Sequence, residues 1–477
     1  MNLDADACWK ALSARDARFD GRFYVGVATT GIYCRPVCNV RMPRRENCRF
    51  FASAAAAEAR GFRPCLRCRP ELAPGHAAID AGSRLAQGAV DLIESGVMDD
   101  GGMERLAARV GVSDRHLRRV FDAEFGVSPV EYAQTHRLLL AKRLLTDTHL
   151  PVTDIAHASG FASVRRFNAL FRDRYRMAPS RLRRDAGAAE PADGLAFDLA
   201  YRPPYDFDAM LAFLRMRAVD GLEAVGENGY VRSVAVRRGG TVHAGHVEVR
   251  QLVRKHALRV IVSPSLAHVV PAVLGRVRHA FDLAADPREI GATLGALAQA
   301  HQGLRVPGTF DGFELAVRAI VGQQVSVKAA RTLVGRLVAT HGAHVAATAP
   351  QPGRLFPDAS AIAALAPQDL ARGGLVATRA RAIHALAEAV AGGTLALEPG
   401  VDVEATLDAL RALPGIGDWT AHYIAMRALR WPDAFLAGDL VVRRALGVTT
   451  AARAEAKSAA WRPWRAYAVM HLWKGSA

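Results

Sequence analysis

The chain has 477 residues, of which 51% are hydrophobic, and its 62 Lys and Arg against 46 Asp and Glu give a formal net charge of +16. This composition excludes a disordered chain, and the length predicts three or four domains. The positive surplus predicts a polyanionic partner. No uncharged stretch is long enough to cross a membrane, and acids stand where a signal peptide needs basic residues. We therefore expect a soluble, cytoplasmic protein that makes no membrane contact.

The first part of the chain is predicted to bind a metal. All six cysteines lie between Cys8 and Cys68, and four of them form two close pairs, C-x3-C at Cys34 and Cys38 and C-x2-C at Cys65 and Cys68. Such a pattern is typical of a tetrahedral Zn²⁺ site with four thiolates. Disulfides are the alternative, which a reducing compartment disfavours. The two other cysteines are interpreted as ordinary, partly buried thiols.

The residues around these cysteines point to one family. TTGIYCRPVC at 29–38, REN at 45–47 and GFRPCLRC at 61–68 resemble the N-terminal domain of the Ada methylation-response family. This resemblance implies that Cys34 is both a zinc ligand and a sacrificial nucleophile that accepts a methyl group from a DNA methylphosphotriester. Methylating one thiolate removes a negative charge, so affinity for the DNA backbone should rise. Arg41 and Arg63 fall where the family contacts DNA; the alternative is a solvated basic face.

The next part contains an internal repeat. Leu106, Gly111, Leu117 and Phe121 recur about fifty residues later as Ile155, Gly160, Phe167 and Phe171. Each copy predicts a short helix, a tight turn at the glycine and a second helix with an apolar stripe. Ser113 and Ser163 are suited to cap the two second helices.

The repeat strongly resembles the AraC-type regulator domain. The resemblance implies two recognition helices, at 113–125 and 163–175, that read operator or promoter DNA, with RNA polymerase as a further partner. A generic helix pair with a basic face is the alternative. The predicted exposed DNA-binding side chains suit guanine edges, adenine edges and phosphates; they are Arg115, His116, Arg118, Arg119, Arg165, Arg166 and Asn168.

After this domain the pattern changes twice. Residues 185–194 (DAGAAEPADG) lack apolar periodicity and are interpreted as a linker. Partial alternation at 230–238 and 241–250, with a β-rich stretch at 256–263, predicts strands covered by helices. From about residue 307 onward the pattern is helical.

A hairpin signature lies in the helical part. LPGIGDWTA at 413–421 predicts a helix-hairpin-helix, in which Gly415 and Gly417 let the backbone turn and direct N–H groups at a phosphate. A lone hairpin of this kind is weak evidence. The acid in LAGDLVVRR at 436–444 strengthens it, and Asp439 is the candidate catalytic residue; the alternative is a helix N-cap.

This pairing resembles the helix-hairpin-helix base-excision glycosylases of the AlkA 3-methyladenine type. YRPPYD at 201–206, VRAIVGQQVS at 317–326 and WRPWR at 461–465 add to the resemblance. It implies a catalytic Asp439, base-pocket aromatics at Trp419, Tyr423 and Trp473, and a DNA wedge at Gln324. Core packing is the alternative for the aromatics. A monovalent cation at the hairpin carbonyls is a predicted second cofactor.

The residue types suit the chemistry that the resemblance implies. A carboxylate stabilises the positive charge that develops on deoxyribose, and an aromatic cleft attracts a cationic alkylated base. Glycosylases with lyase activity have Lys at the position of Trp419, so we expect a monofunctional enzyme.

The predicted fold class is multidomain and mainly α. It combines a small zinc-binding α+β domain (1–76), an all-α double helix-turn-helix domain (80–184), an AlkA-like α+β domain (195–300) and an all-α helix-hairpin-helix glycosylase domain (301–477). The predicted function is removal of alkylated purines from DNA combined with transcriptional regulation of the alkylation response, in a nucleoid-associated protein. The alternative is a transcription factor whose C-terminal half binds DNA without catalysis.

Overall fold

The computed structural model describes residues 3–74, 84–186, 194–346 and 352–476. The chain divides into two units, the first comprising residues 1–202, 236–243 and 252–275, and the second residues 203–235, 244–251 and 276–477. Most of the predicted linker at 185–194, and the predicted boundary between residues 76 and 80, lie outside the described residues. Across the described ranges, no helix is both long and apolar enough to span a bilayer.

The cysteine-rich part of the first unit is built on a small sheet. Its elements are α1 Ala5–Ser13, β1 Tyr24–Val27, β2 Ile32–Cys34, β3 Cys48–Phe51, α2 Ala54–Ala59 and β4 Arg63–Pro64. The strand order is β3-β1-β2-β4, with β1 antiparallel to β2 and β3, and β4 parallel to β2. Cys34 pairs with Val25 at the end of β2, where the chain leaves the sheet. The predicted α+β architecture is confirmed.

Between residues 84 and 186, all of which the structure describes, the first unit forms seven helices. They are α3 Arg84–Glu94, α4 Val97–Arg109, α5 Asp114–Phe125, α6 Pro129–Asp147, α7 Val152–Ala158, α8 Val164–Tyr175 and α9 Pro179–Ala186. The two repeat copies form the pairs α4–α5 and α7–α8, which turn at Gly111 (φ +72°) and Gly160 (φ +86°). The Ser113 hydroxyl accepts from the His116 N–H and the Ser163 hydroxyl from the Arg166 N–H, so both predicted caps are present.

The cysteine-rich part and helix α6 are joined by buried polar contacts. Lys142 Nζ lies 2.5 Å from Glu71 Oε1, and both side chains are almost fully buried. The Arg69 guanidinium bonds both Glu71 and Asp147, at 3.0 and 2.7 Å. Because buried charges need such partners, these contacts fix one part against the other.

The predicted strands form in the next part of the chain. The elements here are β5 Leu195–Ala200, α10 Phe207–Arg217, β6 Glu223–Val225, β7 Gly229–Arg238, β8 Thr241–Leu252 and β9 Ala257–Val262. In the first unit β5 pairs antiparallel with β9, from Leu195 opposite Val262 to Ala200 opposite Ala257. In the second unit the order is β8-β7-β6, with β6 antiparallel to β7. The strands end within two residues of the predicted limits.

After β9 the described chain forms helices joined by loops, and the helical pattern predicted from about residue 307 onward is confirmed. The helices are α11 Val270–Ala280, α12 Pro287–Leu294, α13 Ala296–Gln299, α14 Gly312–Val321, α15 Val327–His341, α16 Ala359–Ala363, α17 Pro367–Arg372, α18 Ala377–Ala391, α19 Val403–Ala412, α20 Asp418–Arg427, α21 Leu440–Ala445, α22 Ala451–Ser458 and α23 Arg465–Gly475. Helix α14 is apolar nearly all round and buried in the core of the second unit. Helices α20 and α23 also pack into this core, which positions the side chains described below.

Candidate metal centre and candidate active site

The four predicted ligands form one cluster in the first unit. The Sγ atoms of Cys34, Cys38, Cys65 and Cys68 all lie within 4.8 Å of one another, and the first three side chains are buried. Four thiolates about 2.3 Å from a central ion would have a similar mutual spacing, so the donor set fits a tetrahedral Zn²⁺ site. The backbone N–H of Arg35 donates to Cys68 Sγ at 3.4 Å and orients that ligand.

The two remaining cysteines lie outside the cluster. Cys8 is buried in a small apolar core, and burial raises the pKa of its thiol to about 11. Cys48 donates to the Arg44 carbonyl at 3.5 Å, and burial raises the pKa of its thiol as well. Both are therefore protonated, unreactive thiols near neutral pH.

The arginines around the cluster divide into two groups. The Arg35 guanidinium pairs with Asp20 and donates to the Cys68 carbonyl at 3.2 Å, so it serves the local fold. Arg41 is exposed, and Arg63 is partly exposed on β4. These two are the residues that the resemblance assigns to DNA.

Helices α5 and α8, which are predicted to read DNA, present basic side chains to solvent. Arg115, Arg118, Arg165 and Arg166 are exposed, whereas Asn168 is partly buried. Arg118 is already paired with Asp114, with Nε 2.6 Å from Oδ1. Arg119 forms no such ion pair with the described residues; its Nη2 lies 3.3 Å from His116 Nδ1.

The predicted hairpin connects α19 and α20 in the second unit. Gly415 has φ +77°, a left-handed conformation that favours glycine, and Gly417 is the N-cap of α20. The Gln323 side chain donates to the Gly415 carbonyl at 2.9 Å and to Thr420 Oγ1 at 3.0 Å. This brace holds the turn after α14 on the hairpin. The next residue, Gln324, is exposed at φ +53°.

Asp439 lies at the start of α21 and does two things at once. Its Oδ1 accepts from the Val442 N–H at 3.0 Å, which makes it the N-cap of the helix. Its carboxylate also accepts from two indoles, from Trp419 Nε1 at 3.0 Å and from Trp473 Nε1 at 3.3 Å. The N-cap alternative is therefore correct, and it is compatible with a role in the site. Two side-chain donors fix the carboxylate in one orientation.

The three predicted aromatics come together beside this carboxylate. The rings of Trp419 and Tyr423 are stacked, with centroids 5.2 Å apart and an interplanar angle of 12°, and the Tyr423 and Trp473 centroids are 6.4 Å apart. All three line a cavity of about 860 Å³ together with Asp439. Exposed apolar side chains, Met216 among them, also line it. The same three side chains pack against the hydrophobic core of the second unit, so they contribute to packing as well as bordering the cavity.

Two arginines of this cavity were missed by sequence reasoning. Arg427 Nη1 donates to the Tyr423 hydroxyl at 2.5 Å, and the Arg217 guanidinium lies 3.7 Å from the ring centroid of Phe213. Burial raises the pKa of Tyr423, but the guanidinium groups of Arg427 and Arg217 outweigh this effect and hold it below its ordinary value. The available sequence signal was the i, i+4 spacing of Tyr423 and Arg427 on α20.

Comparison with known families agrees with this arrangement. Family models match the metal binding domain of Ada at residues 7–71, a helix-turn-helix domain at 106–185, the AlkA N-terminal domain at 196–311 and the HhH-GPD superfamily of base excision DNA repair proteins at 317–465. The three resemblances noted in the sequence are thereby confirmed, as is zinc binding by the cysteine cluster.

Individual relatives cover the chain to different extents. The chain is 39% identical to a probable bifunctional transcriptional activator/DNA repair enzyme AlkA of Mycobacterium tuberculosis, over 99% of this chain and 97% of the relative. It is 37% identical to DNA-3-methyladenine glycosylase 2 of Escherichia coli, over 58% of this chain and 96% of the relative. A solved structure of a 3-methyladenine DNA glycosylase from Archaeoglobus fulgidus matches with a TM-score of 0.50 at 20% identity, over 59% of this chain and 98% of that one, which supports the fold alone. The chain belongs to the family of bifunctional transcriptional activator/DNA repair enzymes of the AlkA type.

Proposed function

We propose that the second unit is a monofunctional DNA glycosylase that hydrolyses the N-glycosidic bond of alkylated purines of the 3-methyladenine class. The observation that supports this most strongly is the Asp439 carboxylate, held by two indole donors at the edge of a cavity that can receive a flipped base. A DNA-binding module without catalysis would not need a carboxylate oriented in this way. The relative named as a 3-methyladenine glycosylase supports the same substrate class.

In this mechanism the cavity takes up a base that has left the duplex stack. As the C1′–N bond breaks, its electron pair moves to the base and positive charge develops on the deoxyribose. The Asp439 carboxylate stabilises that charge and orients the attacking water, which adds to C1′ and loses a proton. Gln324 is proposed to fill the space that the flipped base leaves.

We further propose that Gly415 and Gly417 bind the DNA backbone through their N–H groups. The Gly415 carbonyl already accepts from Gln323, so a monovalent cation at this hairpin would have to use other carbonyls. Trp419 stands at the position where glycosylases with lyase activity have Lys. Another amine, that of Lys474, belongs to a residue that lines the cavity. Borohydride trapping with lesion DNA tests the monofunctional assignment, because a lyase would yield a covalent adduct with DNA and a monofunctional enzyme none.

We propose that the cysteine cluster of the first unit is a methyl sensor. Bound Zn²⁺ would keep the cysteine sulfurs deprotonated at neutral pH. Cys34 Sγ then forms a bond to the methyl carbon of a methylphosphotriester, the carbon–oxygen bond breaks, and the phosphate oxygen keeps the electron pair. The loss of one negative charge on sulfur raises affinity for DNA, which Arg41 and Arg63 contact at phosphates.

The double helix-turn-helix is proposed to read promoter DNA once the sensor is methylated, with RNA polymerase as its partner there. Arg115, Arg165 and Arg166 are exposed and suited to bases or phosphates, whereas Arg118 must first leave Asp114. Replacing one phosphate-binding arginine should reduce the salt slope of DNA binding by about 1.

Abasic-site formation on methylated duplex DNA tests the glycosylase proposal. Wild type should release methylated purines and leave alkali-labile abasic sites. A wild-type protein that binds this DNA and leaves every lesion intact would favour the alternative, a transcription factor whose second unit only binds DNA.

A further inference from the structure

The cavity of the second unit contains two kinds of arginine. Arg232 and Arg318 line it and are neutralised by buried carboxylates, with Arg232 2.8 Å from Glu314 and Arg318 2.7 Å from Glu223. Arg217 and Arg427 also line it. Within the described part of the chain, neither of these two forms an ion pair, so the cavity holds two positive charges without a carboxylate partner.

These two arginines differ in how many of their N–H groups are used. Arg427 is 7% exposed and donates to the Pro307 and Gly308 carbonyls at 2.6 and 3.1 Å, and to the Tyr423 hydroxyl. Arg217 donates to the Phe213 carbonyl at 3.2 Å and contacts Tyr423. A guanidinium has five N–H groups, and the contacts of Arg217 with the described residues use only some of them, which leaves donors for a ligand in the cavity.

The Arg217 guanidinium is nevertheless held in place. It stacks on the Phe213 ring at 3.7 Å, and its backbone carbonyl, at the end of α10, accepts from Arg318 Nη1 at 3.0 Å. A positioned donor of this kind loses little conformational entropy when it bonds a ligand.

The carboxylate and the two guanidinium groups of the cavity are connected through a continuous series of side-chain contacts. Asp439 is bonded to Trp419, Trp419 stacks on Tyr423, and Tyr423 contacts both Arg427 and Arg217. One end of this series is negative and the other positive. Breaking the C1′–N bond separates charge in the same sense, positive on the sugar and negative on the departing base.

We propose that Arg217 is a specificity-determining residue that stabilises the departing base and so lets this glycosylase remove neutral lesions that keep an unprotonated acceptor atom. The electron pair of the C1′–N bond goes to the base, which leaves as an anion hydrogen-bonded to Arg217. Water adds to C1′ and loses a proton, and the base anion takes up a proton to become the free base. This inference rests on the proposed glycosylase function.

A cationic base needs no such help, because it leaves as a neutral molecule. The Tyr423 ring is also less available to it, since Trp419 stacks on this ring and the Arg427 guanidinium lies 5.3 Å from its centroid. The two cations therefore oppose the expected preference for cationic bases.

The test compares single-turnover excision of a neutral lesion, 1,N6-ethenoadenine, with that of a cationic lesion, 7-methylguanine, in the same duplex. In the full-length Arg217→Gln variant, excision of the neutral lesion should fall about tenfold to hundredfold, as expected for loss of a charge-assisted hydrogen bond. Excision of the cationic lesion should stay unchanged or rise by up to about threefold, because a positive charge has been removed from the cavity. The remaining activity on the neutral lesion should rise steeply as the pH falls, since the base must then be protonated before it leaves.

Arg215→Gln is the matched control, because Arg215 is exposed on the same helix and does not line the cavity. It should change neither rate. Arg217→Lys keeps the charge and should restore part of the neutral-lesion rate. An equal fall in both rates, or no change in their ratio, would overturn the proposal for Arg217 and leave the glycosylase function standing. A wild type that removes only the cationic lesion would do the same, and one that removes neither would overturn the proposed function itself.

Discussion

Trp419 Nε1 lies 3.0 Å from Asp439 Oδ2, so the indole directs the carboxylate that the proposed reaction needs. The same Asp439 caps helix α21, and Asn is as good an N-cap as Asp. Asp439→Asn should therefore keep the fold and remove the negative charge. We expect the rate of abasic-site formation to fall by about 10²–10³-fold or more, measured in single turnover.

Asp402→Asn is the matched control for this variant. Asp402 caps α19 by accepting from the Ala405 N–H at 3.0 Å, and it does not line the cavity. Its rate should equal that of wild type. Equal rates for wild type and Asp439→Asn would remove Asp439 from the mechanism.

Trp419→Phe separates the indole donor from the aromatic ring. Phenylalanine can keep the stacking on Tyr423 but has no N–H for Asp439, so the excision rate should fall about tenfold to hundredfold. Trp431→Phe is the control, because Trp431 is buried in the core and its indole nitrogen has no partner in the described structure. If both variants lost activity equally, ring packing rather than the hydrogen bond would explain the effect.

The sensor proposal predicts where a methyl group goes. After incubation with methylphosphotriester DNA, the peptide that contains Cys34 should gain the mass of one methylene, and Cys34→Ser should accept no methyl group and bind zinc less tightly. Cys48→Ser is the control, since Cys48 is a buried thiol outside the cluster, and it should retain both properties. Peptide mass spectrometry and metal analysis measure these outcomes; methylation of Cys65 or Cys68 alone contradicts the assignment.

Gln324 has a left-handed backbone conformation, which is unfavourable for a residue other than glycine, and it is proposed to fill the space that a flipped base leaves. At φ +53° a glycine is less strained, so Gln324→Gly should leave the free energy of unfolding unchanged or raise it by about 0.5–1 kcal/mol. The same change removes the side chain that fills the vacated space, so excision from duplex DNA should slow. Excision from single-stranded DNA should not slow, because there a flipped base leaves no gap in a duplex that a side chain would fill. Equal effects on both substrates would argue against a wedge.

Glu58 makes the first unit sensitive to pH. Burial raises its pKa to about 7, although hydrogen bonds from Tyr33 and Thr135 and the charges of Arg174 and Lys142 act in the opposite direction. Because this pKa lies above the pKa of a glutamate in the unfolded chain, protonated Glu58 contributes stability to the fold that is fully present below the unfolded pKa. This contribution is lost as the pH rises through about 7. Calorimetry should show Glu58→Gln to be more stable than wild type at pH 8, by up to about 3 kcal/mol, and similar at low pH. A variant less stable than wild type at pH 8 would contradict this.

Local features of the sequence predicted local structure well. The cysteine spacing predicted the metal cluster, the two repeat glycines predicted the left-handed turns, and Ser113 and Ser163 predicted the caps. Each of these depends on neighbours within a few residues, or on a spacing that one ion imposes. The family comparisons confirm the kinds of domain, while the domain boundaries stay predictions.

The electrostatics of the site could not be predicted in the same way. Asp439 receives its donors from residues 20 and 34 positions away, and Arg217 enters the cavity from another part of the chain. Such contacts follow from tertiary packing, for which a single sequence provides no periodic signal. The prediction that Trp419 is a pocket aromatic did not reveal its indole as a donor to Asp439.

Helix α20 places Trp419, Tyr423 and Arg427 four residues apart, so that all three side chains leave one side of the helix. Removing or adding a single residue between them would rotate the later positions by about 100° around the helix axis. The helix could still form, but the ring and the guanidinium would no longer meet. This segment should therefore accept substitutions during evolution far more readily than changes in its length.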